Sequence, residues 1–374
     1  MVASKAHATR VDHDILAGRE TSARRALLVL GMHRSGTSAL TRVLGLSGAA
    51  LPRHKMAPAE DNMLGFWEPQ PIVDAHDSFL RQAGTGWEAI ADYPAAIFAS
   101  DEAAACRESL AALVAHEYGD APLFIVKDPR ISRLMPLWRP VLGELGIAPR
   151  IVIMVRNPLE IAASLKARSG WSEHRALLVW LRYMLAAERD TRDLVRCFVG
   201  YGQLVRDWRA TVGRLSDQLG IAFPERSRAM EQRIDGFIRP DLRHHRHRAD
   251  TLLQRGDIAD CVKQAYRCLS AATETGTVDQ TALDRIAATL DEAEATRQRM
   301  TRGNTQPMRT LETRPAPPAA SDTLTALMLA EIEEASDIAT QSQRLLSEMR
   351  ATWSWRATKP FRALGRTAGR LIGR

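Results

Sequence analysis

Residues 26–40 read ALLVLGMHRSGTSAL: five apolar residues, a turn bounded by Gly31 and Gly36, then residues compatible with a helix from about Thr37. A near-continuous apolar run suits a strand covered on both faces. The first turn of a helix leaves backbone N–H groups without internal partners, and the positive end of the helix dipole lies there too. A strand, a glycine-bounded turn and a helix start therefore make a cradle for an anion. His33, Arg34, Ser35, Gly36, Thr37 and Ser38 are its candidate binding residues, with hydroxyl donors at Thr37 and Ser38. In the loop that serves nucleoside triphosphates, a lysine follows the second glycine and reaches the terminal phosphates. Thr37 stands at that place here, and Arg34 is the cation within the turn. The competing reading is a strand-to-helix turn without a ligand.

Three further apolar runs, 123–127 (LFIVK), 151–155 (IVIMV) and 197–201 (CFVGY), alternate with helix-length segments. This alternation predicts an α/β fold with a parallel sheet flanked by helices, over about residues 24–300. The run at 151–155 continues into a second anion-binding candidate, IVIMVRNPLEIAASLKAR (151–168). Arg156 ends the strand, Asn157 can cap the next helix, and Pro158 fits a first helical turn, where no N–H donor is needed. Ser164 and Arg168 lie one turn apart on one helix face. With Arg156 they can converge on a phosphate; a capped surface helix with solvated arginines is the plainer alternative.

These motifs resemble those of the sulfotransferases that use 3′-phosphoadenosine 5′-phosphosulfate (PAPS), in particular the bacterial branch related to protein-tyrosine and carbohydrate sulfotransferases. The resemblance rests on GMHRSGTSAL (31–40), KDPR (127–130) and RNPLEIAASLKAR (156–168), followed by GYGQLVRDW (200–208) and FIRPDLRHH (237–245), in that order. It implies a P-loop-type sheet of five strands, PAPS as co-substrate and no metal requirement. It also implies that the first loop holds the 5′-phosphosulfate and that Arg156, Ser164 and Arg168 hold the 3′-phosphate. On this reading two separated pockets, one at either edge of the sheet, grip opposite ends of one nucleotide. Cytosolic members carry lysine where Arg34 stands, whereas tyrosine-type and many bacterial members carry arginine.

Sulfuryl transfer needs an in-line acceptor oxygen, neutralisation of charge on the leaving oxygen and a base for the acceptor proton. Arg34 is the candidate for the leaving oxygen. Lys127 by resemblance contacts the transferring group, and Asp128 beside it suits orienting a cation or capping a turn. For the base we select Glu68, next to Phe66 and Trp67 in EDNMLGFWEPQPIVDAHD (60–77), because a carboxylate against aromatic surface can have a raised pKa. His33, Asp61 and His76 are its rivals. Tyr201 is either a donor contact or a core tyrosine, and Arg243 and His245 either close over the nucleotide or form a solvated basic face. The histidines at 244, 245 and 247 lack the paired acids or cysteines of a metal site.

Composition limits what else the chain can be. With 374 residues, 45% of them apolar, it can bury a sizeable core, and no run approaches the roughly 20 apolar residues of a membrane span. The first 23 residues form a polar extension without the apolar stretch of a secretion signal. We therefore expect a cytoplasmic protein. The four cysteines are scattered, which argues against a disulfide framework or a zinc site. Net charge is +7, but 351–374 contains six cations and no acid, so the remainder is nearly balanced and no nucleic-acid partner is expected. Residues 301–322, with four prolines, read as a linker, 323–350 as an amphipathic helix, and 351–374 as a basic aromatic tail. The tail suits peripheral contact with an anionic membrane at its inner face, or a solubilising role. Its WRATKPFRALGR resembles tails of bacterial enzymes that build surface polysaccharides, which implies a glycan or glycolipid acceptor. Two other functions stay open: a nucleotide-dependent kinase, which needs the lysine that Thr37 replaces, and a non-catalytic scaffold in polysaccharide assembly with a vestigial loop.

Overall fold

The computed structural model describes residues 24–59, 62, 63, 65–238 and 249–303. In chain order they form β1 (Arg25–Leu30), α1 (Thr37–Leu46), α2 (Gln70–Gln82), α3 (Ala95–Phe98), α4 (Asp101–Tyr118), β2 (Leu123–Val126), α5 (Ile131–Glu144), β3 (Ala148–Val155), α6 (Pro158–Ser169) and α7 (Glu173–Arg189). Then follow β4 (Arg196–Gly200), α8 (Tyr201–Arg206), α9 (Trp208–Leu219), α10 (Arg228–Phe237), α11 (Ala249–Gln254), α12 (Asp260–Thr275) and α13 (Gln280–Gly303). The four expected strands are all present. Helix α13 runs three residues into the stretch read as a linker, and one compact unit closes at Glu294. The N-terminal extension, the rest of the linker, the amphipathic helix and the basic tail lie outside the described residues.

The strands make one sheet in the order β2-β1-β3-β4, every pairing parallel. The described residues therefore contain four strands rather than the five that the resemblance implied. β1 is fully buried from Ala26 to Leu30 and β3 from Ile151 to Val155. Alternate residues of a strand face opposite sides. Leu27, Val29, Val152, Met154, Cys197 and Val199 join one core with Leu40, Val43 and Leu44 of α1 and Leu215 and Leu219 of α9, while α5 packs on β1 and β3. Each fully buried leucine or valine contributes about 1.5–3 kcal/mol relative to exposure, so this double-sided covering sets the sheet.

Topology then positions the site. From central β1 the chain crosses to β2 on one side and later returns to β3 on the other, so a crevice opens between the carboxyl ends of β1 and β3. The register pairs Leu28 with Val126, Leu30 with Ile153 and Val155 with Gly200. The residues that follow the four strands, Gly31, Lys127, Arg156 and Tyr201, therefore emerge along one edge.

Candidate active site

The loop after β1 takes a backbone that few sequences permit. Gly31 has φ 136° and Gly36 φ 90°, both in the left-handed region, and Arg34 joins them at φ 69°. A Cβ on Gly36 would lie 2.2 Å from the Tyr201 ring, and one on Gly31 would lie 3.0 Å from the Met154 carbonyl oxygen. Only glycine fits at either place. Two N–H groups of the loop are used internally: Gly31 donates to Ser132 Oγ at 2.9 Å and Ser35 to the Met32 carbonyl at 3.1 Å. Gly36 caps α1 without a side-chain hydrogen bond, which leaves the first N–H groups of the helix directed at the turn.

The second anion motif forms as its sequence predicts. Asn157 Oδ1 accepts from the Leu159 N–H at 3.0 Å, Pro158 occupies the first turn, and Gly170 closes α6 in the left-handed conformation. The motif does not sit at the opposite edge of the sheet from the first loop, as expected. β1 and β3 are neighbours, and the two motifs touch: Arg34 Nε donates to Ser164 Oγ at 2.8 Å, and Arg156 Nη1 donates to the Arg34 carbonyl at 2.8 Å. Arg156 is held further by Glu160 at 2.8 Å and lies 4.3 Å above the Tyr201 ring. One cleft replaces the two separated pockets.

That cleft is a cavity of about 540 Å³. His33, Arg34, Gly36, Thr37, Ser38, Glu68, Lys127, Arg156, Ser164, Arg168 and Tyr201 all line it, so most of the sequence-derived candidates meet there. Ser35 is fully buried, and its hydroxyl has no partner among the described residues. Tyr201 both lines the cavity and packs in the core. Arg243, His245 and Asp61 fall outside the described residues.

Lys127 and Glu68 form the electrostatic centre. Both are nearly inaccessible, at 2% and 4% exposure. Lys127 Nζ donates to Glu68 Oε1, to Ser38 Oγ at 3.0 Å and to the Phe66 carbonyl at 3.2 Å. Burial raises the Glu68 pKa above the ordinary carboxylate value, against the opposing pull of Lys127. The raised value expected from the aromatic neighbours thus arises from burial as a whole. Gly65 and Trp67 adopt φ of 92° and 60°, and this bend brings Phe66, Trp67 and Glu68 to the cavity wall. Nothing in the local sequence pattern foretold the pairing of Glu68 with Lys127, which spans 59 positions.

The two histidine rivals of Glu68 have different settings. His33 lines the cavity, packs against Trp87 with ring centroids 4.3 Å apart and planes tilted by 48°, and is held neutral, its pKa lowered by burial and then by Arg130. His76 is fully buried behind the cavity wall: Trp138 Nε1 donates to its Nε2 at 2.9 Å, which places the proton on Nδ1, 2.7 Å from Asp128 Oδ2. Asp128 also accepts from the Arg130 backbone at 3.0 Å and its guanidinium at 2.9 Å, and Arg130 makes a two-point pair with Asp77. Although burial pushes the Asp128 pKa up, Arg130 and His76 hold it far below the usual range. Asp128 therefore orients a cation and caps a turn, and His76 has no lone pair left for a substrate proton.

A parallel sheet whose carboxyl edge carries a glycine-bounded loop, a second cationic motif and a buried carboxylate–ammonium pair places the protein in the α/β class. The model of the Sulfotransferase family matches residues 26–225, more than half of the chain, and the chain belongs to that family. It is a sulfotransferase. Its fold is similar to a sulfotransferase from Mycobacterium tuberculosis H37Rv, at 17% identity over 60% of this chain and 74% of that one, TM-score 0.35. It is similar as well to the sulfotransferase domain of the Synechococcus PCC 7002 olefin synthase, at 17% identity over 72% of this chain and 95% of that one, TM-score 0.36. A third likeness is to the sulfotransferase domain from the curacin biosynthetic pathway, at 16% identity over 54% and 75%, TM-score 0.33. No curated protein matches the chain.

Proposed function

We propose that the enzyme moves a sulfuryl group from PAPS to a hydroxyl of a bacterial surface glycan or glycolipid. The observation that carries this reading is the Arg34–Ser164 hydrogen bond, which ties the two anion motifs into one cleft beside Lys127 and Glu68. The lining fits such a donor: Arg34, Lys127, Arg156 and Arg168 bring four cations against the one carboxylate of Glu68, and the glycine turn leaves backbone room that a Cβ would fill. When bound, the donor supplies the sulfuryl group. The chain's own residues do the rest. N–H groups of α1 with Thr37 and Ser38 hold the 5′ side, and Arg156, Ser164 and Arg168 hold the 3′-phosphate. Glu68 takes the proton of the acceptor hydroxyl as its oxygen attacks, while Arg34 neutralises charge on the departing oxygen and Lys127 contacts the transferring group.

The glycan assignment draws on the basic aromatic tail, 351–374, and the enzyme would work in the cytoplasm, at the inner face of the membrane. Among the described residues no helix is long and apolar enough to cross a membrane. Residues 24–300 would be the catalytic domain, with 1–23 an extension, 301–322 a tether and 323–350 a helix that carries the tail. Radiolabelled sulfate from PAPS should enter cell-envelope fractions with the native enzyme and not with Arg34→Ala. Equal labelling by both proteins would overturn the assignment. Removal of 351–374 should abolish pelleting with anionic liposomes; unchanged pelleting would remove the membrane role alone.

A further inference from the structure

A second group of polar side chains lies outside the cleft. His54, His116 and Glu117 bring two imidazoles and a carboxylate together, with one ligand-type atom from each within 4.8 Å of the others. Glu117 is the fixed member. Its side chain is wholly buried, and both oxygens face His54: Oε2 accepts from the backbone N–H at 2.8 Å, and Oε1 meets Nδ1 at 2.7 Å. The His116 ring lies parallel to that of His54, centroids 5.3 Å apart and 3° between planes.

Three features suit this group to a cation. The histidines are exposed, so their rings can turn, and a cation can arrive from water. His116 and Glu117 stand in the last turn of α4, where the negative end of the helix dipole favours positive charge. Two imidazoles and one carboxylate, with a position left for water, are a donor set for zinc-class ions rather than for magnesium, which prefers oxygen ligands throughout. Tetrahedral ligation with bonds of about 2.1 Å requires ligand atoms about 3.4 Å apart, so His54 Nδ1 must move outward from its 2.7 Å contact with Glu117 Oε1 while the His116 ring is brought to the same spacing, adjustments that rotation of the two exposed rings can supply.

We propose that His54, His116 and Glu117 form a zinc-class divalent cation site that clamps the segment around His54 to the end of α4. The clamp has a structural consequence, because this segment pairs with the one that carries Glu68: Gln70 donates to the His54 carbonyl at 2.9 Å and Met56 to the Glu68 carbonyl at 2.8 Å. The site stands whether or not Glu68 is the base.

Calorimetric titration of the untagged full-length protein with zinc chloride, with magnesium chloride as control, tests it. One equivalent of zinc should bind that His54→Ala and His116→Ala each weaken about tenfold or more, with no binding of magnesium. Zinc should raise the Tm of the native chain and not of the two variants. The variants replace exposed rings, so they keep the fold even where Glu117→Gln does not. Absence of saturable zinc binding overturns the proposal. So does binding undiminished in both variants, on His244, His245 and His247 or elsewhere.

Discussion

Lys127 and Asp128 are neighbours in the chain, are both buried, and serve opposite ends. Lys127 faces the cavity and pairs with Glu68, a carboxylate whose pKa burial has raised. Asp128 is not among the residues that line it and is enclosed by His76 and Arg130, in a network that Trp138 extends within the core and partly exposed Asp77 closes toward solvent. A buried charge with every partner in place is locked in its ionised form and acts as an anchor. A buried carboxylate at a cavity wall, held chiefly by one cation, has its pKa displaced upward instead. In the proposed mechanism, two adjacent residues thus divide stability from chemistry at the end of β2.

The largest test of this division is Glu68→Gln. It should lower kcat by about 10²–10⁴-fold while the nucleotide product still binds; a near-normal rate would take Glu68 out of the mechanism and leave the pair a second anchor. Arg34→Ala should cost about 10²–10³-fold in kcat with the unfolding midpoint little changed, since the loop is held by Gly31, Ser132 and Ser35. Asp128→Asn should do the reverse, lowering stability by about 3 kcal/mol in chemical denaturation, as Arg130 keeps only Asp77. A large loss of kcat with unchanged stability would move Asp128 into the chemistry.

Acid titration sharpens the same contrast. Glu68 must be ionised to accept a proton, so kcat/KM should fall on the acid side with a midpoint above the ordinary glutamate value of about 4.3. The stability contributed by Asp128, whose folded pKa is depressed, is complete above the unfolded aspartate value of about 3.9 and is lost only as pH drops below it. Activity should therefore disappear before the circular dichroism signal does. A common midpoint would erase the distinction. The smallest expected effect is that of exposed Arg168→Ala: an increase of up to about tenfold in the donor KM with kcat unchanged.

How much of this was legible depended on sequence distance. The four strands could be read because each is a short apolar run, and the cap of α6 because Asn157 and Pro158 act within three residues of themselves. Arg34, Lys127, Arg156 and Tyr201 were recognisable because each stands in or just after a strand-end motif. The adjacency of β1 and β3 was not, since parallel strands joined by long crossovers carry no local sign of their order. Nor was the meeting of Glu68 with Lys127 or of His76 with Asp128, because long-range partners are selected by packing. The positive φ of Arg34 and Trp67 escaped for another reason: the left-handed region is foretold by glycine, and neither position has one.

An ammonium group has three hydrogens, and at Lys127 each already has an oxygen: the hydroxyl of Ser38, the carbonyl of Phe66 and the carboxylate of Glu68. A newcomer's oxygen can reach that nitrogen only by evicting one of the three. Of these the carboxylate alone is charged, so in the proposed mechanism an incoming anion would compete with Glu68 for the lysine, and occupancy at the lysine would set the charge environment of the proposed base.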